Sequence, residues 1–199
     1  INPPNSLDLA AADDTGTLNN DNITSNANNL TISGTSEANA SITLTSDQDG
    51  SLGTTTANGA GNWTIDVSLS PNKIHAVTAV ATDTAGNASV SSAALNITID
   101  TNTPAAPAAL DLAAADDTGD SSSDNITSNT TNLTISGTSE ANASITLTSS
   151  IDGAVGTTTA NGSGNWTIDI SLTANLTHAV TAVATDTAGN ASVSSAALN

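Results

Sequence analysis

The sequence predicts an all-β chain built as two tandem antiparallel β-sandwiches of seven strands each. Three observations predict it. Apolar residues alternate with Thr, Ser and Asn at period two almost throughout, the spacing of a half-buried strand rather than a helix. Turn sequences such as Asp49-Gly50 and Asn58-Gly59 punctuate that alternation at short intervals. The sequence also repeats itself: Leu7-Asp8-Leu9 recurs as Leu110-Asp111-Leu112, an offset of 103 residues (110 less 7) that aligns the remainder of the two copies without a gap.

Taken in order along the first copy, Leu7 and Leu9 start the first strand, Leu30, Ile32 and Gly34 share a face of the second, and Ile42 and Leu44 a face of the third. Asp49-Gly50 turns the chain into a fourth strand, Leu52 to Ala57, and Asn58 to Asn62 turns it into a fifth, where Trp63, Ile65, Val67 and Leu69 alternate onto one face. Val77, Ala79 and Ala81 do the same after His75; Asp83 to Asn87 then turns the chain into a last strand ending Leu95, Ile97, Ile99. Seven short strands in a copy of this size, with no helical period between them, describe a two-sheet sandwich of immunoglobulin-like type. With no Phe or Tyr, the core is built from aliphatic side chains, and Trp63 and Trp166 fill the middle of each sandwich.

The joint between copies is Ile99-Asp100-Thr101-Asn102-Thr103-Pro104, stiffened by Pro104 and Pro107. The expected domains are residues 1–103 and 104–199, with the joint spanning 99–107. The second copy stops at Asn199, the counterpart of Asn96, so its last strand is truncated and the chain reads as part of a longer array.

Composition narrows the partners. One basic residue, Lys73, stands against 19 acidic ones, for a net charge of -18. Nucleic acid and anionic membrane surfaces are therefore excluded as natural partners, and cations favoured. No cysteine is present, so neither disulfides nor thiolate metal sites are available. No stretch approaches the roughly 20 apolar residues of a membrane span, and Ile1-Asn2-Pro3-Pro4 does not read as a signal peptide.

Carboxylates and carbonyls are the ligands calcium prefers. In this topology the first loop and the C-terminal end of a sandwich lie together. Asp13, Asp14, Asp21, Asp100 and Asn102 therefore gather at the lower end of the first copy, while Glu140, Asp186 and Asn190 lie at the upper end of the second. The full expected calcium set adds their equivalents Asp116, Asp117, Asp124, Glu37 and Asp83. The competing reading is that each Asp caps its own turn, as Asp83-Thr-Ala-Gly-Asn and Asp117-Thr-Gly can without metal. No stretch fits the EF-hand loop, so such shared sites are expected at roughly 10⁻⁴–10⁻³ M affinity. Asp47 and Asp49 become Ser150 and Asp152 in the second copy, and a solvated hairpin turn is expected there.

The combined motifs Leu-Asp-Leu, Asp-Asp-Thr-Gly, Asp-Asn-Ile-Thr, Ile-Ser-Gly-Thr, Gly-Asn-Trp-Thr and Ala-Thr-Asp-Thr-Ala-Gly-Asn-Ala-Ser, closed by Ile-Asp-Thr-Asn-Thr-Pro, cover nearly the whole of both copies. They resemble the bacterial immunoglobulin-like repeats of giant adhesins, the type-I-secreted, biofilm-associated and repeats-in-toxin adhesins. The resemblance implies an extracellular stalk on the bacterial surface whose repeats are joined by calcium. The expected function is that of calcium-stiffened extender repeats projecting a distal binding module, with neighbouring repeats as partners and no oligomer. The alternative is a binding module whose exposed Thr/Ser/Asn face, Thr54-Thr55-Thr56 for example, contacts a glycan, another copy or ice. An enzyme is not expected: His75 and His178 have no Cys or second His beside them and read as rim histidines, and sugar-binding aromatic platforms are missing.

Overall fold

Leu, Ile and Val at every second position, with Thr and Ser between, let one face of an extended chain pack while the other stays wet. The computed structural model describes residues 1–199, and its regular structure is entirely strand. The chain divides into two units, Ile1–Asn102 and Thr103–Asn199.

The first unit contains β1 (Asn5–Leu9), β2 (Ile23–Thr24), β3 (Leu30–Thr35), β4 (Ser41–Ser46), β5 (Gly50–Thr56), β6 (Asn62–Val67), β7 (Lys73–Thr82) and β8 (Leu95–Ile99). One sheet has the order β1-β3-β6, the other β2-β8-β7-β4-β5. Leu9, Leu30, Ile32, Trp63 and Val67 of the first sheet meet Ile42, Leu44, Val77, Ala79, Ala81, Leu95, Ile97 and Ile99 of the second in one buried core. Gly34 lies opposite Trp63 in the β3–β6 register. A Cβ at Gly34 would stand 2.3 Å from the indole Cζ2, so glycine makes room for the ring that closes the core.

The second unit repeats this plan with β9 (Ala108–Leu112), β10 (Leu133–Thr138), β11 (Ser144–Ser149), β12 (Gly153–Thr159), β13 (Asn165–Ile170) and β14 (Val180–Thr185). Its sheets are β13-β10-β9 and β12-β11-β14, and Leu198 forms an isolated bridge to Val180.

Three features depart from the expected seven-stranded, purely antiparallel pattern. The two-residue β2 is an additional strand, and it pairs parallel to β8, Ile23 opposite Thr98 and Thr24 opposite Ile99. It is too short to show a period, which is why alternation does not find it. Secondly, the stretch between Asn87 and Leu95 is not part of the last strand, although it runs beside β7. There Ser89 and Ser92 substitute their hydroxyls for ladder carbonyls: each Oγ accepts a β7 amide, from Ala81 and Ala79 respectively, at 3.0 Å. The serine amides bond back to the Ala81 and Ala79 carbonyls at 2.8 and 2.9 Å. A spacing of three between these serines is invisible to a period-two reading. Thirdly, the second unit has six strands: Ile126 and Thr127, the counterparts of β2, are not in a ladder, and of the counterpart of β8 only Leu198 pairs, in its isolated bridge to Val180.

Candidate metal centre

The loop between β1 and β3 is shaped by its own acids. The amides of Asp13 and Asp14 both close a turn on the Ala10 carbonyl, at 2.8 and 3.1 Å. Asp13 Oδ2 then accepts the Thr31 amide at 2.9 Å, which fastens the turn to the start of β3. The Asp13 carbonyl accepts the hydroxyl of Thr24, a polar residue with no exposed surface, at 2.6 Å. Asp14 Oδ2 accepts the Asn22 amide at 3.0 Å, and Asp21 Oδ1 the Ile23 amide at 3.1 Å. Asn22 sits at φ 59°, a left-handed conformation that asparagine tolerates.

These bonds present β2 to the last strand. The Asn22 carbonyl accepts the Thr98 amide and the Thr24 carbonyl accepts the Asp100 amide, each at 2.9 Å. Asp100 Oδ1 in turn accepts the Asn102 amide at 3.0 Å. Asp13, Asp14, Asp21, Asp100 and Asn102 therefore share the end of the first unit from which the chain leaves its sandwich. The second unit reproduces the loop: Asp116 Oδ2 accepts from Thr134 at 2.9 Å, Asp117 Oδ2 from Asn125 at 3.0 Å, and Asp124 Oδ1 from Ile126 at 3.2 Å.

One atom in each loop is different. Asp14 and Asp117 are each 4% exposed, and Oδ1 of each is buried without a hydrogen-bond partner. A buried carboxylate costs several kcal/mol unless something compensates it. The second unit holds no Lys or Arg, position 176, the counterpart of Lys73, being a leucine, and its one histidine, His178, faces Ser149, Asp152 and Thr173. No three His, Asp or Glu side chains converge into a metal-binding group.

At the opposite end of each sandwich the acids cap turns. Asp83 Oδ1 accepts the amides of Ala85 and Asn87 at 2.9 and 2.8 Å, and its Oδ2 the Asn87 side-chain amide at 2.8 Å. The Asn87 side chain is the main reason the Asp83 carboxyl is held below the ordinary carboxylate range. Asp186 makes the same three bonds within the second unit, to Ala188 and to the backbone and side chain of Asn190, each at 2.9 Å. Glu37 and Glu140 are exposed, and their carbonyls accept the Ala40 and Ala143 amides.

The histidines are not rim residues. His75 is fully buried. Its Nε2 lies 2.8 Å from the Ser70 carbonyl, which can only accept, so Nε2 donates there, and its Nδ1 lies 3.0 Å from the Ser46 hydroxyl. Asp49 Oδ2 stands 3.4 Å from the same Nδ1 and accepts the Ser70 amide at 2.8 Å. The Asp47–Asp49 hairpin is thus bonded to the rest of the unit, not merely solvated: Asp47 Oδ1 accepts the Ala76 amide at 2.8 Å. Ser149, His178, Asp152 and Thr173 repeat the cluster. Although a serine, a histidine and an aspartate meet, both Ser and Asp address Nδ1, while Nε2 is committed to a carbonyl; the group staples the β4–β5 turn to the start of β7. Sequence does not reveal it because Ser46 and His75 are neighbours only across a strand pair.

The bacterial Ig-like domain family matches residues 1–101 and again 103–199, and the chain belongs to that family in two tandem copies. Among solved structures, the BSP domain of a biofilm-associated protein is similar at 16% identity and a TM-score of 0.32, covering 98% of this chain and 28% of that one. A Ca²⁺-stabilised adhesin described as helping an Antarctic bacterium reach out and bind ice is 22% identical with a TM-score of 0.45, covering 99% and 49%. The fibronectin(III)-like modules of Clostridium thermocellum CbhA are 13% identical with a TM-score of 0.48, covering 85% and 83%. The chain thus spans about a quarter of the biofilm-associated structure and about half of the adhesin structure. No curated protein matches it.

Proposed function

We propose that the chain is a pair of extender repeats from a bacterial cell-surface adhesin, calcium-stiffened and non-catalytic, which hold a distal ligand-binding module away from the cell. Family membership in two tandem copies supports a repeat function. The observation that carries the calcium reading is the placement of Asp13, Asp14 and Asp21 beside the segment leaving the unit, through the bonds of β2 to Thr98 and Asp100. Calcium bound by that loop restrains the run Asp100 to Pro104 and so converts a polar linker into a stiff one. In low-calcium cytosol the anionic, cysteine-free chain stays unfolded more readily for export; millimolar calcium outside the cell favours the folded state by mass action. Neighbouring repeats of the same chain are its partners.

Small-angle scattering of the two-repeat chain during a calcium titration tests this. The distance distribution is expected to lengthen or narrow with calcium, and Asp100→Ala to abolish that change. A distribution indifferent to calcium would refute the stiffening role and bring forward the binding-module alternative, for which titration with surface glycans and sedimentation are the direct assays.

A further inference from the structure

We infer that Asn58, and Asn161 in the second copy, are self-modification sites: the backbone nitrogen of the glycine that follows converts each side-chain amide to a carboxylate in the folded chain. The inference is independent of the calcium reading. It concerns the turn between β5 and β6, and its counterpart between β12 and β13, which the proposed function leaves unused.

The turn that such a conversion would produce already exists elsewhere in the chain. Asp83-Thr84-Ala85-Gly86-Asn87 and Asn58-Gly59-Ala60-Gly61-Asn62 close by the same bonds. The first residue's amide donates to the carbonyl of the fifth, at 3.0 and 2.9 Å respectively, and the glycine amide at the fourth place donates to the carbonyl of the first, again at 3.0 and 2.9 Å. That glycine has φ 89° in one turn and 84° in the other. One side-chain oxygen of the first residue accepts two amides, those of Ala85 and Asn87 on Asp83, and those of Ala60 and Asn62 on Asn58 at 2.9 and 3.0 Å. Asn161 and Asp186 repeat the pair in the second unit. A carboxylate therefore fits at positions 58 and 161 without moving the turn. It also gains a bond there: Asn87 Nδ2 donates to the second oxygen of Asp83 at 2.8 Å, and Asn62 stands at the same place in its turn. Hydrogen bonds to an ionised acceptor are stronger than those to an amide.

What separates the two kinds of turn is the second residue, threonine after Asp83 and Asp186, glycine after Asn58 and Asn161. Both partners of Asn58 Oδ1 are donors, which fixes the orientation of the amide and leaves Nδ2, the departing atom, on an exposed side chain. The same two donors polarise Cγ and stand where negative charge develops on Oδ1 during attack, a two-amide oxyanion hole. Gly59 has no Cβ to hinder its nitrogen, and its amide takes no part in the hydrogen bonds of the turn. The Gly59 nitrogen bonds to Asn58 Cγ, the Cγ–Nδ2 bond breaks, and ammonia leaves with the proton given up by the Gly59 nitrogen; a cyclic succinimide remains. Water then adds at Cγ, where the oxyanion hole again stabilises the charge, and the ring opens to aspartate with the Gly59 N–H restored. Opening at the backbone carbonyl would instead give isoaspartate and take away the carbonyl to which Gly61 donates. The net change is water taken up and ammonia released. Conversion at both sites adds two negative charges to the present -18.

Incubation of the full 199-residue chain at neutral pH, with its peptides mapped by mass spectrometry at intervals, tests the inference. Asn58 and Asn161 are expected to lose ammonia about tenfold faster, or more, than any other asparagine, with aspartate outnumbering isoaspartate among the products. Gly59→Ala is expected to slow position 58 about tenfold or more and to leave position 161 unchanged. Nothing lies within 4 Å of a Cβ at Gly59 or Gly162, so alanine leaves the turn intact. A parallel incubation in urea isolates the contribution of the fold, and conversion there is expected to be no faster than in the folded chain. The end product, an Asn58→Asp, Asn161→Asp chain, is expected to fold and to melt no lower than the wild type. Rates at Asn58 and Asn161 no higher than at the other asparagines, faster conversion in urea than in the folded chain, isoaspartate as the main product of the folded chain, or a lowered melting temperature in the double variant overturns the inference.

Discussion

Replacing Gly34 by alanine tests the packing account most sharply, because the space it needs is already occupied. The added Cβ would lie 2.3, 2.8 and 3.0 Å from Cζ2, Cε2 and Cη2 of Trp63. Relaxed carbon contacts stand at roughly 3.5–4.0 Å, so the indole must retreat by about 1 Å or more. Trp63 is 3% exposed in a close-packed core and has no free volume to retreat into. Overpacking of this kind costs about 1–3 kcal/mol, against about 0.4–1 kcal/mol recovered because alanine restricts the unfolded chain. A net loss of about 1–2 kcal/mol in a unit of this size lowers Tm by roughly 5–15 °C. Gly137→Ala meets Trp166 at 2.3, 2.7 and 2.9 Å and is expected to do the same to the second unit. Gly59→Ala is the control: nothing lies within 4 Å of its Cβ, so its effect is expected to be neutral or slightly stabilising. Scanning calorimetry with tryptophan emission reads all three. If Gly34→Ala melts with Gly59→Ala, the indole is not held where the core requires it, and the reasoning fails.

Ser92→Ala deletes the hydroxyl that accepts the Ala79 amide and should cost about 1–3 kcal/mol in denaturant unfolding; a loss below about 0.5 kcal/mol would mean that water replaces it. The Asp49 carboxyl is held below the ordinary carboxylate range first by the Ser70 hydroxyl, then by the Ser70 amide, with His75 adding to it. Its folded value lies below its unfolded one, so its contribution is complete above about pH 4 and is lost as pH falls through the lower folded value. Asp49→Asn is therefore expected to be less stable at pH 7 and to lose less on acidification below about pH 4 than the wild type; parallel acid-unfolding curves for the two proteins would contradict this.

Period two, the turn sequences and the offset of 103 make the sandwich and its duplication legible, since each is a local property of the chain. Leu30, Ile32, Ile42, Leu44, Val77 and Ala79, picked out by alternation, are all fully buried. What alternation misses has physical reasons. β2 is held by loop acids and by β8, not by its own pattern. Ser89 and Ser92 join a ladder through side chains, a substitution no binary pattern encodes. Gly34 is legible as a face-mate of Leu30 and Ile32, but its pairing with Trp63 needs the register. His75 is misread as a rim residue because its surroundings, Ser46, Asp49 and Ser70, come together only across strands. For the acids, the sequence locates the loops and the end they occupy; that Asp83 and Asp186 are turn caps, while Asp14 and Asp117 leave an oxygen open, depends on atoms and not on residue types.

The central claim, that these repeats depend on calcium, is tested most directly by melting the whole chain in about 10 mM calcium and in chelator at matched ionic strength. With an affinity of roughly 10⁻⁴–10⁻³ M, mass action gives about 1–3 kcal/mol per occupied site. For units of about 100 residues that is a rise in Tm of at least about 5 °C. The expected result is that rise, abolished together by Asp14→Asn and Asp117→Asn. Superimposable melting curves in calcium and chelator would contradict the account.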